Sequence, residues 1–210
     1  MGTPLPDRLF VTGTDTGVGK SIVAATLTIG LEADYWKPVQ TGCAATTDSN
    51  WLRQLLQVRP ERVHPEAYRF DPPLSPHAAA DMAGATISLE NISLPQGGQP
   101  LIVEGAGGVL VPLNRHQTMV DLMTKLELPV LLVARSSLGT INHTLLSLGQ
   151  LRQAGLEPIG VVMNGPRNLS NREAIEHYGR LPVVAEIEPL RTVDGEVLRR
   201  LFVEQFAGIA

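Results

Sequence analysis

"VTGTDTGVGKS" (residues 11–21) nearly spells a phosphate-binding loop. The pattern for such a loop is G-x-x-x-x-G-K-[ST]. Gly19-Lys20-Ser21 fits its end, but Thr14 stands where the opening glycine belongs, and the glycine comes one residue earlier, at Gly13. The run before it, "RLFVTG", reads as a strand, and the run after it, "SIVAATLTIGL" (21–31), has helical period. Strand, loop and helix in that order are what a phosphate loop needs. Its glycines let several N–H groups converge on an anion, and the helix N-terminus adds partial positive charge. On this reading Thr16, Gly17, Val18, Gly19 and Ile22 form the cradle, Lys20 neutralises the β- and γ-phosphates, and Ser21 holds Mg²⁺.

The same alternation continues along the chain. "DYWKPV" (34–39), the start of "LIVEGAGG" (101–108), "PVLLVA" (129–134), "PIGVVMN" (158–164) and "PVVAEI" (182–187) are short and continuously apolar, as in strands of a parallel sheet buried on both faces. Between them lie helical patterns. Ile141, Leu145, Leu148 and Leu151 share one face ahead of a Gly155 cap, and "TMVDLMTKLE" (118–127) and "GEVLRRLFVEQF" (195–206) read likewise. The expected fold is therefore α/β: a three-layer P-loop NTPase-type fold with a mainly parallel central sheet flanked by helices, joined by right-handed crossovers. Residues 58–100, rich in proline, show only "SPHAAADMA" as a short helix. No repeat or linker divides the 210 residues, so residues 1–210 are expected to form one domain.

Composition narrows the function. A net charge of −4 offers no basic footprint for nucleic acid. The single cysteine, Cys43, excludes an internal disulfide and a Cys-rich metal site. No apolar run approaches the ~18 residues of a membrane span, and the start "MGTPLPDR" lacks a leader's apolar segment, so a cytoplasmic chain is expected.

Other chemical groups fall at strand ends, where an α/β sheet has its crevice. Lys37 follows the second strand. Glu104 ends "LIVE" as a candidate Mg²⁺ ligand, and Gly105, Ala106, Gly107 and Gly108 leave room for backbone to approach a ligand. Asp48 is either a second Mg²⁺ carboxylate or a helix N-cap. Asn164, before Gly165, is either an adenine-reading amide or a turn residue. His77 is either a catalytic base or a packed or helix-start histidine, and Cys43 is either inert or a thiol whose pKa nearby Lys37 lowers.

The ordered set "VTGTDTGVGKS", "WKPVQTG", "SPH", "VEGAGG", "GTINHTLL" and "VVMNG" resembles the dethiobiotin synthetases over residues 9 to about 190. That resemblance implies an ATP-dependent carboxylating, ring-closing ligase that takes 7,8-diaminopelargonate, CO₂ and Mg-ATP and works as a homodimer. It also implies residue roles. Lys37 would touch both the carbamate and the γ-phosphate, with Lys20 as the second catalytic cation, and Thr41 would supply the substrate-contacting hydroxyl. Ser21, Asp48 and Glu104 would hold the metal. Asn164, Gly165 and the Gly105–Gly107 turn would line the nucleotide, with Glu188, Pro189 and Leu190 in the base segment. Gly139, Thr140, Ile141 and Asn142 would receive the substrate's acid tail near the dimer interface. Two departures stand out. Only fifteen residues separate Ser21 from Lys37, which implies a trimmed first helix region. Asp15 occupies the place where partitioning ATPases carry a lysine, which argues against the alternative of a nucleotide-switched ATPase. A related amide-forming ligase would need a further glutaminase domain.

Overall fold

Continuously apolar strands need cover on both faces, and here both faces are covered. The computed structural model describes residues 5–208 apart from 45, 57 and 58. The elements run β1 (Arg8–Gly13), α1 (Lys20–Gly30), β2 (Asp34–Trp36), β3 (Val39–Thr41), α2 (Asp48–Leu55), β4 (Tyr68–Phe70), α3 (Pro76–Met82), β5 (Leu101–Glu104), α4 (Met119–Leu126), β6 (Val130–Arg135), α5 (Thr140–Gln153), β7 (Pro158–Asn164), α6 (Leu169–Gly179), β8 (Val183–Ile187) and α7 (Gly195–Gln205). Six strands form one sheet in the order β2-β5-β1-β6-β7-β8. Every pairing in it is parallel. The first four residues, half of the "MGTPLPDR" stretch, lie outside the described residues.

Alternation along β1 sorts the core into two halves. Leu9 and Val11 join Ile102, Leu131 and Val133 beneath α1 and α7, with Leu27, Leu198 and Phe202. Phe10 faces the other way, with Val103, Leu132 and Ala134, beneath α4 and α5. The three-layer P-loop NTPase-type architecture follows from that sorting. On α5 the apolar stripe is narrower than the spacing implies: Leu148 and Leu151 are buried beside Thr140 and Thr144, while Ile141 is half-buried. Among the described residues, no helix is long and apolar enough to cross a membrane.

The expected strand 34–39 is divided in two. Pro38 has no N–H to give to a ladder, so β2 ends at Trp36 and the chain leaves the main sheet. Val39–Thr41 then pairs with Tyr68–Phe70 in a separate two-stranded sheet. The Pro38 carbonyl joins in, accepting from the backbone N–H groups of Ala67 at 2.9 Å and Tyr68 at 3.0 Å. This departure lifts Lys37 off the sheet at its carboxyl edge. Helix α2 begins at Asp48, but Thr47 is its cap, accepting from the Asn50 N–H at 3.1 Å. The Asp48 side chain is thereby free for other work.

Candidate active site

The loop closes over Gly13, which is why that position tolerates no side chain. A Cβ there would lie 2.8 Å from Val18 and 3.1 Å from Lys20. The chain then climbs through Thr14, whose N–H is held by the Val133 carbonyl at 2.9 Å. Gly19 delivers it into α1 with φ +96°, a conformation that L side chains rarely adopt. Lys20 curls back across the loop and donates to the Asp15 carbonyl at 2.9 Å, with only 6% of the residue exposed. Burial pulls its ammonium down to about 8, although the Glu104 carboxylate pulls the other way. The Asp15 carboxylate pairs with Arg135 at the end of β6 and accepts the Thr16 N–H at 2.7 Å.

Four strand or helix ends meet in front of this loop. Lys37, after β2, places Nζ 2.6 Å from Asp48 Oδ2 at the start of α2 and 2.9 Å from Glu104 Oε1 at the end of β5. Ser21 Oγ stands 2.5 Å from Asp48 Oδ1 and 2.9 Å from the same Glu104 oxygen. Burial lowers the Lys37 ammonium, but Glu104 and Asp48 outweigh it and hold the group above its ordinary range. Burial raises Asp48, and Lys37 more than offsets that, so its carboxyl sits low. Lys37 and Asp48 therefore stand as an ion pair.

A cation fits this donor set. Ser21 has one proton to share between two carboxylate oxygens, so a second positive partner is favoured there. Hydroxyl and carboxylate oxygens are the hard donors that Mg²⁺ takes, completed by waters and substrate phosphates rather than by a full protein cage. No group of three or more His, Cys, Asp or Glu gathers among the described residues. Two cations, Lys20 and Lys37, face two anions, Asp48 and Glu104, so a triphosphate of about four negative charges would need added positive charge.

These groups line a cavity of about 790 Å³. Thr16, Gly17, Gly19, Ile22, Thr41, Ala106 and Gly107 share its walls with the charged cluster. The Pro73–Pro76 segment and Val111 close the far side, which sequence reading did not assign. Gln40 is another omission. It is buried in the cavity wall, its Nε2 donates to the Thr41 carbonyl at 2.7 Å, and its Oε1 has no partner among the described residues. Tyr35 also went unassigned, since a tyrosine in a strand reads as core. Its hydroxyl donates to Glu104 Oε2 at 2.8 Å.

Other expected residues stand back from the cavity. Val18 and Gly105 are packed beneath it, and a Cβ on Gly105 would meet Phe10 at 2.8 Å. Asn164 is turned onto the loop itself and donates from Nδ2 to the Val18 carbonyl at 2.9 Å. Gly165 is bonded to Ile187 and lies against Ser136. Glu188 and Pro189 are exposed beyond β8, and Glu188 pairs with Arg167 at 3.6 Å. Gly139, Thr140, Ile141 and Asn142 form the start of α5, where Gly139 is the N-cap and Asn142 is exposed. One chain does not bring them to the main cavity, and the next residue, His143, lines a second one of about 410 Å³. His77 sits in the first turn of α3, its Nδ1 3.1 Å from Ser75 Oγ. Cys43 is half-buried, its thiol near the Gln40 carbonyl.

The chain is similar to several known proteins. The sequence model of an AAA domain family matches residues 7–197. An ATP-dependent dethiobiotin synthetase BioD of Paramagnetospirillum magneticum is 49% identical over 92% of this chain and 93% of its own length. The protein of the same name from Rhodopseudomonas palustris is 44% identical over 94% of this chain and 93% of its own. The biotin biosynthesis bifunctional protein BioCD of Bordetella avium is 50% identical over 92% of this chain, which spans 42% of that longer relative. Among solved structures, a ParA family ATPase from Chlorobium tepidum TLS superposes with a TM-score of 0.49 at 13% identity, covering 96% of this chain and 91% of that one.

Proposed function

This chain belongs to the ATP-dependent dethiobiotin synthetase family, and on that premise we propose that it joins CO₂ to 7,8-diaminopelargonate and closes the ring to dethiobiotin through a carbamate and a carbamic–phosphoric anhydride. The enzyme is a cyclo-ligase that forms C–N bonds and spends ATP.

The steps balance as follows. One neutral amine attacks CO₂, forms a C–N bond and loses a proton, giving a carbamate. A carbamate oxygen attacks the γ-phosphorus, and the bond to the β-bridging oxygen breaks to release ADP. The second amine attacks the activated carbonyl carbon, the C–O bond to phosphate breaks, and the cyclic urea forms with loss of a further proton. Nothing in this scheme needs a protein nucleophile. It needs positioning and neutralised charge.

The residues suit those needs. Lys37 lines the same cavity as the phosphate loop and would contact both a carbamate oxygen and a transferring phosphoryl group. Lys20, tethered to the Asp15 carbonyl, would neutralise the β- and γ-phosphates of a nucleotide in the loop. Thr41 presents a hydroxyl on the same wall as Lys37. Mg²⁺ held by Ser21, Asp48 and Glu104 would neutralise the β- and γ-phosphates. In a homodimer, the Gly139–Asn142 helix start of a partner could receive the substrate's carboxylate.

The observation that carries this reading is the placing of Lys37 within 3 Å of both Asp48 and Glu104, in a cavity that also holds Lys20. The test is direct. The protein is incubated with Mg-ATP, bicarbonate and the diamine, each omitted in turn, and ADP and cyclic urea are measured. ADP release should require the diamine and match ring product one for one. ATP hydrolysis indifferent to the diamine would sink the reading.

A further inference from the structure

Glu104 divides its two oxygens between two worlds. Oε1 faces the cavity side, where Ser21 Oγ and Lys37 Nζ each lie 2.9 Å away. Oε2 faces inward, and Tyr35 is its hydrogen-bond donor among the described residues, at 2.8 Å. Both residues are 1% exposed. The register explains the meeting. Tyr35 pairs with Ile102 across β2 and β5, so Glu104 lies two residues further on and on the same face. The tyrosine ring leans along the strand direction and spans that gap.

We propose that Tyr35 is a positioning residue for the Mg²⁺ site: its hydroxyl anchors Glu104 by Oε2 and thereby commits Oε1 to Ser21, Lys37 and the cation. A carboxylate ending a strand has free χ angles and can swing, chelate with both oxygens or turn wholly onto Lys37. Holding one oxygen from the core removes those alternatives. Supporting hydrogen bonds of this kind orient the ligands of metal sites generally. The proposal rests on reading the crevice as a Mg-nucleotide site. It adds a residue that touches neither nucleotide nor substrate.

The bland explanation is that a buried tyrosine needs some acceptor and Glu104 happens to be near. The two separate in Tyr35→Phe, which removes one oxygen and keeps the ring. Mn²⁺ is titrated into the protein–ADP complex, and free Mn²⁺ is followed by electron paramagnetic resonance beside thermal melting. Tyr35→Phe should melt cooperatively and bind Mn²⁺ about 10- to 100-fold more weakly than wild type. In a Glu104→Gln background the same change should alter Mn²⁺ affinity by no more than about twofold, because the group it acts through is gone. A folded Tyr35→Phe with wild-type affinity overturns the proposal, and so does an equal loss in both backgrounds. If Tyr35→Phe alone does not fold but Tyr35→Phe/Glu104→Gln does, the hydroxyl acts on the carboxylate as proposed; if neither folds, Tyr35 serves packing and the proposal falls. The titration needs no diamine. A wild-type protein that makes no cyclic urea would therefore discard the proposed reaction while this comparison still reads Tyr35.

Discussion

The three residues of β2 run from one charged cluster to another. At its start, Asp34 accepts from His64 Nε2 at 2.9 Å and faces Arg62 Nε at 3.6 Å. Just past its end, Lys37 meets Asp48 and Glu104. About 10 Å of strand separates the two. Near the first, the available space is about 10 Å³. At the second it is about 790 Å³. Arg62 also reaches the carbonyls of Thr28 and Ala33, and His64 N–H bonds the Tyr35 carbonyl. That cluster is used up in pinning residues 62–64 against β2. The Lys37 cluster is more deeply buried, yet it opens onto a cavity and shares one serine proton between two carboxylates. An ion cluster becomes a site when its charges are buried, crowded and still reachable.

The largest expected effect breaks the second cluster. Lys37→Ala should lower the rate of ring formation about 10²- to 10³-fold, the usual loss when one charge-stabilising contact is removed. It also leaves Asp48 and Glu104 facing each other without their shared cation. The melting temperature should therefore fall, and added Mg²⁺ should restore part of it. Near-normal turnover in the folded variant would take Lys37 out of the mechanism.

A smaller effect sharpens the role of the loop in front of it. Gly19→Ala places a Cβ 2.0 Å from Asn164 Nδ2 at φ +96°. Left-handed backbone costs an L residue about 1–2 kcal/mol, and Asn164 must release the Val18 carbonyl. ADP binding measured by calorimetry should weaken about tenfold, in proportion to that strain. Wild-type affinity would mean that the nucleotide does not use this loop conformation.

Much of this was legible in the sequence, for physical reasons that differ by element. Strands buried on both faces announce themselves as apolar runs, so β1, β5, β6, β7 and β8 emerged nearly whole. Lys20, Ser21, Lys37 and Glu104 are charged or hydroxyl residues at strand ends and loop positions, and with Asp48, singled out by ligand type and resemblance, they line one cavity. Helix α6 was not, because only Ile175 and Gly179 of its residues are buried and no stripe shows. The break of 34–39 into β2 and β3 is hidden because the run looks continuous, while Pro38 withholds the N–H that a ladder needs. Tyr35 was hidden more deeply. Its value lies in a register between β2 and β5 that no local pattern contains. Asn164 kept its place at the end of β7, but its amide holds the loop's backbone, a pairing between residues 146 apart in the chain.

The smallest expected effect tests the comparison itself, at the other end of β2. Asp34→Asn removes the anion that Arg62 and His64 share, but leaves the bonds from Arg62 to the backbone carbonyls in place. The pair is partly exposed, with side chains 15% to 23% accessible, so screening limits its worth. The loss should be at most about 1 kcal/mol, a fall in melting temperature of about 2–4 °C for a chain of this size. Turnover and the KM values for ATP and the diamine should stay at wild-type levels, because no group of that cluster reaches the cavity. A variant that melts like wild type but turns over slowly would show the opposite. It would mean that the start of β2 sets the position of Tyr35 and Lys37, so that the two clusters are ends of one lever and not a clamp and a site.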